Sequence, residues 1–99
     1  MDINIASDGA VATIVLSGRL DTASSPKLQE QLLPLFAAHK CVKLDIGGVA
    51  YVSSAGLRVL LMGAKAAKSS GVMQIVTGVS AEIMEVFEMT GFSDILTIE

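Results

Sequence analysis

Val42-Lys43-Leu44-Asp45-Ile46-Gly47-Gly48-Val49-Ala50-Tyr51-Val52-Ser53-Ser54-Ala55-Gly56-Leu57-Arg58 is the stretch that decides the fold. From Cys41 to Ile46 apolar and polar residues alternate. Val42, Leu44 and Ile46 take one face and Lys43 and Asp45 the other, which is the period of a strand buried on one side. Gly47-Gly48 is expected to end that strand. Val49 to Val52 is then a short apolar approach to a helix beginning at Ser53-Ser54. That helix places Leu57, Leu60, Leu61, Ala64 and Ala67 on one face and points Arg58, Lys65 and Lys68 elsewhere. A strand that runs straight into an amphipathic helix is the building unit of a parallel sheet.

The flanks extend the pattern. On the N-terminal side, residues 2 to 6 are extended. Ser7-Asp8-Gly9-Ala10 is a tight turn, because Asp-Gly accepts the positive φ of hairpin turns. The β-branched run Val11 to Ser17 pairs back on the first segment, and Gly18-Arg19-Leu20-Asp21 leaves it. Thr22, Ser24 and Ser25 compete to cap the next helix, whose first turn suits Pro26. Leu28, Leu32 and Leu35 carry its period to about His39, with a kink or break at Pro34, which removes the hydrogen bond to Glu30. On the C-terminal side, Ser69-Ser70-Gly71 stops the central helix with Gly71 as a left-handed cap. Val72 to Val76 is a short buried strand. Ser80 caps a further helix with Glu82 and Glu85 near its positive end, Ile83, Val86, Phe87 and Thr90 form the inner stripe, and Gly91 ends it. Phe92 to Ile98 contains a last strand, from Ile95. The expected order is β-β-α-β-α-β-α-β: an α/β fold with a mixed, mainly parallel sheet and helices packed against it, as one domain over residues 1–99.

Composition narrows the function. The chain has 99 residues, is 52% hydrophobic and carries a net charge of −3; its mean hydropathy is +0.62 and its pI about 5.0. That apolar surplus fills a compact core or leaves a patch for a partner. No apolar stretch reaches the roughly 18 residues of a membrane span, and Met1-Asp2-Ile3-Asn4 does not read as a secretory signal, so the expected location is cytoplasmic. The seven basic residues are scattered, and few aromatics accompany them, which argues against a nucleic-acid surface. One histidine, His39, and one cysteine, Cys41, cannot form a zinc site of the usual composition. His39 reads as a residue at a helix end and Cys41 as a small buried hydrophobe. There is no nucleophile–base spacing, no Walker loop and no dinucleotide fingerprint. No catalytic residue, metal or cofactor is expected, and the chain is not read as an enzyme.

The helix start at Ser53-Ser54 remains. A helix N-terminus leaves about four N–H groups unpaired and carries roughly half a positive charge. Ser53 or Ser54 can serve as the cap, and the same place tolerates a phosphate. Spacing does not choose between a cap and a phosphoacceptor. Gly56 is unusual so early in a helix and suggests close backbone approach, by another element or by a partner. Asp21 reads as a turn or capping residue. Met84 and Met89, partly off the inner stripe of the last helix, offer a contribution to a contact surface.

Four segments in this order and spacing resemble the STAS-domain family of bacterial anti-sigma factor antagonists: Leu16-Ser17-Gly18-Arg19-Leu20-Asp21, Val42-Lys43-Leu44-Asp45-Ile46, Tyr51-Val52-Ser53-Ser54-Ala55-Gly56-Leu57, and Met89-Thr90-Gly91-Phe92. The resemblance covers essentially the whole chain and implies a mixed sheet with helices against it. It also implies binding to an anti-sigma factor that is itself a serine kinase, which frees a sigma factor, with a phosphatase restoring the active form. In the best-known members the motif reads Asp-Ser-(Ser or Thr)-Gly-Leu and its first serine takes the phosphate. Anchored on Gly56-Leu57, that serine is Ser54, and Ser53 stands where those members have Asp. Phosphate on Ser53, or binding without phosphorylation, are the alternatives this departure opens. Asp21 matches the family's acidic loop residue beside the phosphoserine site. The partner face implied is Asp21, Ser53, Ser54, Gly56, Leu57 and Arg58. The rival function is a constitutive STAS interaction subunit of a transporter, such as a lipid-transport ATPase, or of a signalling complex.

Overall fold

The computed structural model describes residues 1–99. Strands β1 (Asp2–Asp8) and β2 (Val11–Leu20) form a hairpin, followed by α1 (Ser25–Leu32), α2 (Leu35–Ala38), β3 (Cys41–Val52), α3 (Ser54–Ser70), β4 (Met73–Thr77) and α4 (Ala81–Thr90). The sheet order is β1-β2-β3-β4. β1 runs antiparallel to β2, whereas β2–β3 and β3–β4 are parallel. The hairpin turns at Gly9, with φ +61°, and Pro34 divides the first helical segment into α1 and α2 as its missing N–H requires.

One hydrophobic cluster holds the domain together. Ala12, Ile14, Leu16, Val42, Leu44, Ile46 and Val76 share it with Leu28, Leu32 and Phe36 of the first helices, Leu57 and Leu60 of α3, and Ile83 and Phe87 of α4. The strand members alternate in sequence, so they lie on one face of the sheet, and the helices cover that face. Val15, on the other face, is exposed. Gln74 is a buried polar residue, as are Ser24 and Ser25. The Gln74 amide donates to the Leu60 carbonyl at 3.0 Å, which pins β4 to the middle of α3.

The structure departs from the sequence reading at both ends of the sheet. Gly47-Gly48 does not end β3, which continues to Val52, and β2 runs past Gly18 to Leu20. The pairing shifts register between Val15 and Ser17 and again between Gly18 and Arg19. Gly18 takes φ +103°. A Cβ on Gly48 would stand 3.0 Å from the Ser17 Cβ and 3.1 Å from the Leu16 carbonyl oxygen. These glycines lie at the register shifts, and both strands continue past them instead of stopping. The last strand is reduced to one parallel bridge, Ile98 beside Val76. Phe92–Asp94 is a 3-10 turn, and the Val76 N–H donates to the Thr97 carbonyl at 2.8 Å. On α4, Ile83 and Phe87 are buried as expected, but Val86 and Thr90 are exposed and Met84 packs against the core in their place. Met89 is exposed.

Candidate functional site

The extension beyond the register shifts carries the site. Arg19 pairs with Tyr51 and Leu20 with Val52, so Asp21 and Ser53 leave the sheet side by side at the ends of two parallel strands. The Ser53 N–H donates to the Leu20 carbonyl at 2.8 Å, and the Leu57 N–H donates to the Ser53 carbonyl at 2.9 Å as α3 begins.

The two serines have different tasks. Ser53 is the N-cap, with extended backbone, and its Oγ accepts from the Gly56 N–H at 3.2 Å. Ser54 is the first helical residue; its side chain is exposed and makes no hydrogen bond within the chain. The cap and the candidate acceptor are therefore separate residues. A consequence can be measured: Ser53→Ala should cost about 1 kcal/mol, a fall of roughly 4–8 °C in melting midpoint. Ser54→Ala should stay within about 0.5 kcal/mol of the parent. Thermal denaturation of the two variants in parallel checks the assignment.

Gly56 and Leu57 do not belong on an outward face. Both are buried. A Cβ at Gly56 would stand 2.7 Å from the Leu20 Cγ and 2.8 Å from the Leu20 carbonyl oxygen. The close approach anticipated at Gly56 is thus made by the end of β2, and a partner is not needed to explain it. Leu57 anchors the helix in the core. Arg58 is exposed, one turn beyond Ser54.

Asp21 organises its own loop. Its Oδ1 accepts from the Ser24 and Ala23 N–H groups at 3.0 and 3.1 Å. Its N–H donates to the Ser24 Oγ at 2.9 Å, and the Ser24 hydroxyl donates to the Arg19 carbonyl at 2.7 Å. Ser24 sits at the cap position of α1 but turns its hydroxyl to this loop instead of the helix. The Ser24 N–H is the main cause holding the Asp21 carboxyl below its ordinary 3.8, with the Ser24 hydroxyl, the Ala23 N–H and the Arg19 charge adding to it. A depressed carboxyl stabilises the fold above its unfolded pKa and loses that contribution as pH falls through the folded value. The loop should therefore keep its hydrogen bonds at neutral pH and release them only below about pH 3.8. Amide shifts of Ala23 and Ser24 followed by NMR through an acid titration check this. Asp21→Asn should abolish the titration.

Arg19 and Tyr51 escaped the sequence reading. The Arg19 guanidinium carbon lies 4.4 Å from the centroid of the Tyr51 ring and its Nε is 4.0 Å from Asp21 Oδ2. Both side chains are well exposed. A stacked arginine on an exposed tyrosine joins two residue types that anchor protein interfaces. The signal was out of reach without the structure, because the Arg19–Tyr51 pairing depends on the register shifts.

No helix is long and apolar enough to cross a membrane. His39 ends α2, bonded through Nδ1 to the Leu35 carbonyl and through Nε2 to the Ser7 hydroxyl, both at 3.0 Å. Cys41 is a free, half-buried thiol at the start of β3.

The family model described as Mlab, STAS domain, matches residues 3–97. The chain belongs to the STAS domain family. Over 83 residues this STAS domain is 30% identical to the anti-sigma-B factor antagonist of Bacillus subtilis (strain 168), covering 84% of this chain and 76% of the relative. The anti-sigma-B factor antagonist of Listeria monocytogenes serovar 1/2a (strain EGD-e) is 30% identical over 87 residues, covering 87% and 76%. Among solved structures, the anti-sigma factor antagonist SpoIIAA in its unphosphorylated form superposes with a TM-score of 0.79 over 99% of this chain and 87% of that one, at 13% identity. The phosphorylated form of SpoIIAA, a Bacillus cell fate determinant, gives 0.79 over 99% and 91%, at 14% identity. These two show that the STAS fold is shared.

Proposed function

We propose that this STAS domain is an anti-sigma factor antagonist. It binds an anti-sigma factor that is also a serine kinase, through Ser54, Arg58 and the Asp21 loop with its Arg19–Tyr51 pair, and phosphorylation of Ser54 ends the binding. Relatives named as anti-sigma-B factor antagonists support the class. That SpoIIAA has been solved in a phosphorylated form supports the compatibility of this fold with a phosphate. The observation that carries the choice of residue is the free, exposed Ser54 hydroxyl beside a Ser53 already committed to its helix.

In the proposed step the Ser54 Oγ attacks the γ-phosphorus of ATP. The bond from that phosphorus to the bridging oxygen breaks, ADP departs, and the hydroxyl proton passes to a base of the kinase. The phosphate adds about −1.5 to −2 charges at one point of the contact face. The chain itself supplies only the acceptor. A phosphatase restores the Ser54 hydroxyl by hydrolysing the phosphate ester with water and releasing inorganic phosphate.

The second reading is a constitutive interaction subunit of a transporter or signalling complex, bound without phosphorylation. Ser53, in place of the motif's Asp, is the observation in its favour. Incubation with the cognate kinase and ATP, followed by intact mass and peptide mapping, separates the two. One phosphate on the peptide containing Ser54, lost in Ser54→Ala and kept in Ser53→Ala, is the expected result. Phosphate on Ser53 would move the site, and none would overturn the switch in favour of the constitutive subunit.

A further inference from the structure

Arg58 follows Ser54 by four residues within α3, and both are exposed. Residues so spaced share a helix face, with Cβ atoms about 5–6 Å apart. Helical Cα–Cβ bonds tilt toward the N-terminus, so Arg58 is aimed over the turn that Ser54 opens. The ion pairs of the fold are Arg19–Asp21 and Lys43–Glu99, and Arg58 is in neither. The first turn of α3 contains no acidic residue, whereas that of α4 has Glu82.

We propose that Arg58 is the intramolecular counter-charge of a phosphate on Ser54, so that phosphorylation alters the contact face twice. It adds a dianion, and it draws the Arg58 guanidinium away from the partner. This rests on Ser54 being the modified residue. An acid N-terminal to a base at this spacing is the favourable order on a helix, and a planar guanidinium can engage two phosphate oxygens at once. The relation singles out Ser54. The residue four beyond Ser53 is Leu57, which is apolar and buried.

The test needs neither kinase nor partner. Phosphoserine is installed at position 54 of the full chain, with Arg58, Arg58→Gln or Arg58→Lys, and the phosphate is titrated by phosphorus NMR. Its second pKa should lie roughly 0.2–0.4 units lower with Arg58 than in Arg58→Gln, with Arg58→Lys between them. The difference should shrink in about 1 M salt. Phosphorylation should also raise the melting midpoint by roughly 1–4 °C more with Arg58 than in Arg58→Gln. Phosphoserine installed at position 53 should show no dependence on residue 58. Equal phosphate pKa values and midpoint shifts with Arg58 and in Arg58→Gln would overturn the proposal. That outcome would leave the partner-binding switch standing, because the switch is read from affinity and not from these quantities.

Discussion

Gly56→Ala should destabilise the domain by about 1–3 kcal/mol, the usual range for forcing a methyl group into filled space. Elsewhere in a helix the same change would stabilise by up to about 1 kcal/mol, so the sign of the effect is diagnostic. The new Cβ would meet the Leu20 side chain at 2.7 Å and the Leu20 carbonyl oxygen at 2.8 Å. That oxygen already accepts the Ser53 N–H and cannot retreat without breaking the bond. The strain falls on the junction that aligns Asp21, Ser53 and Ser54. Urea unfolding, read as a lower midpoint at unchanged slope, measures it. A neutral or stabilised Gly56→Ala would mean that the start of α3 stands clear of β2.

The second large effect concerns binding. Ser54→Glu should lower affinity for the anti-sigma factor roughly ten- to a hundredfold, because a negative charge added inside a contact is expected to cost about 1.4–2.8 kcal/mol and each 1.4 kcal/mol is tenfold. Ser54→Ala should stay within about twofold, since the Ser54 hydroxyl makes no bond in the free chain. Calorimetric titration of the three proteins against one anti-sigma factor preparation makes the comparison. Equal losses in both variants would indicate that the hydroxyl itself is a contact, and that charge is not what matters.

Much of the architecture was legible in the sequence because each piece rests on a local rule. Gly9 turns the hairpin, Pro34 breaks the helix, Gly71 and Gly91 take left-handed caps, and Ser80 accepts from the Ile83 N–H at 3.2 Å. What escaped depends on pairs of elements. Gly47-Gly48 reads locally as a stop, yet β3 takes up extra residues there against β2 and stays paired with it to Val52. Whether Ser53 or Ser54 caps α3 is a shift of one residue, and it was decided by the Ser53 hydrogen bond to Leu20. Gly56 and Leu57 belong to the motif but are buried, so membership of the motif did not reveal which of its residues are exposed. Val86 and Met84 exchanged roles because a ten-residue helix with two deeply buried side chains fixes its orientation only when docked.

The most direct measurement is the affinity of the chain for its anti-sigma factor with and without phosphoserine at position 54, by titration calorimetry at physiological salt. The predicted result is a loss of about a hundredfold or more on phosphorylation, with the free domain still folded. Equal affinity of the two forms would contradict control of binding at Ser54.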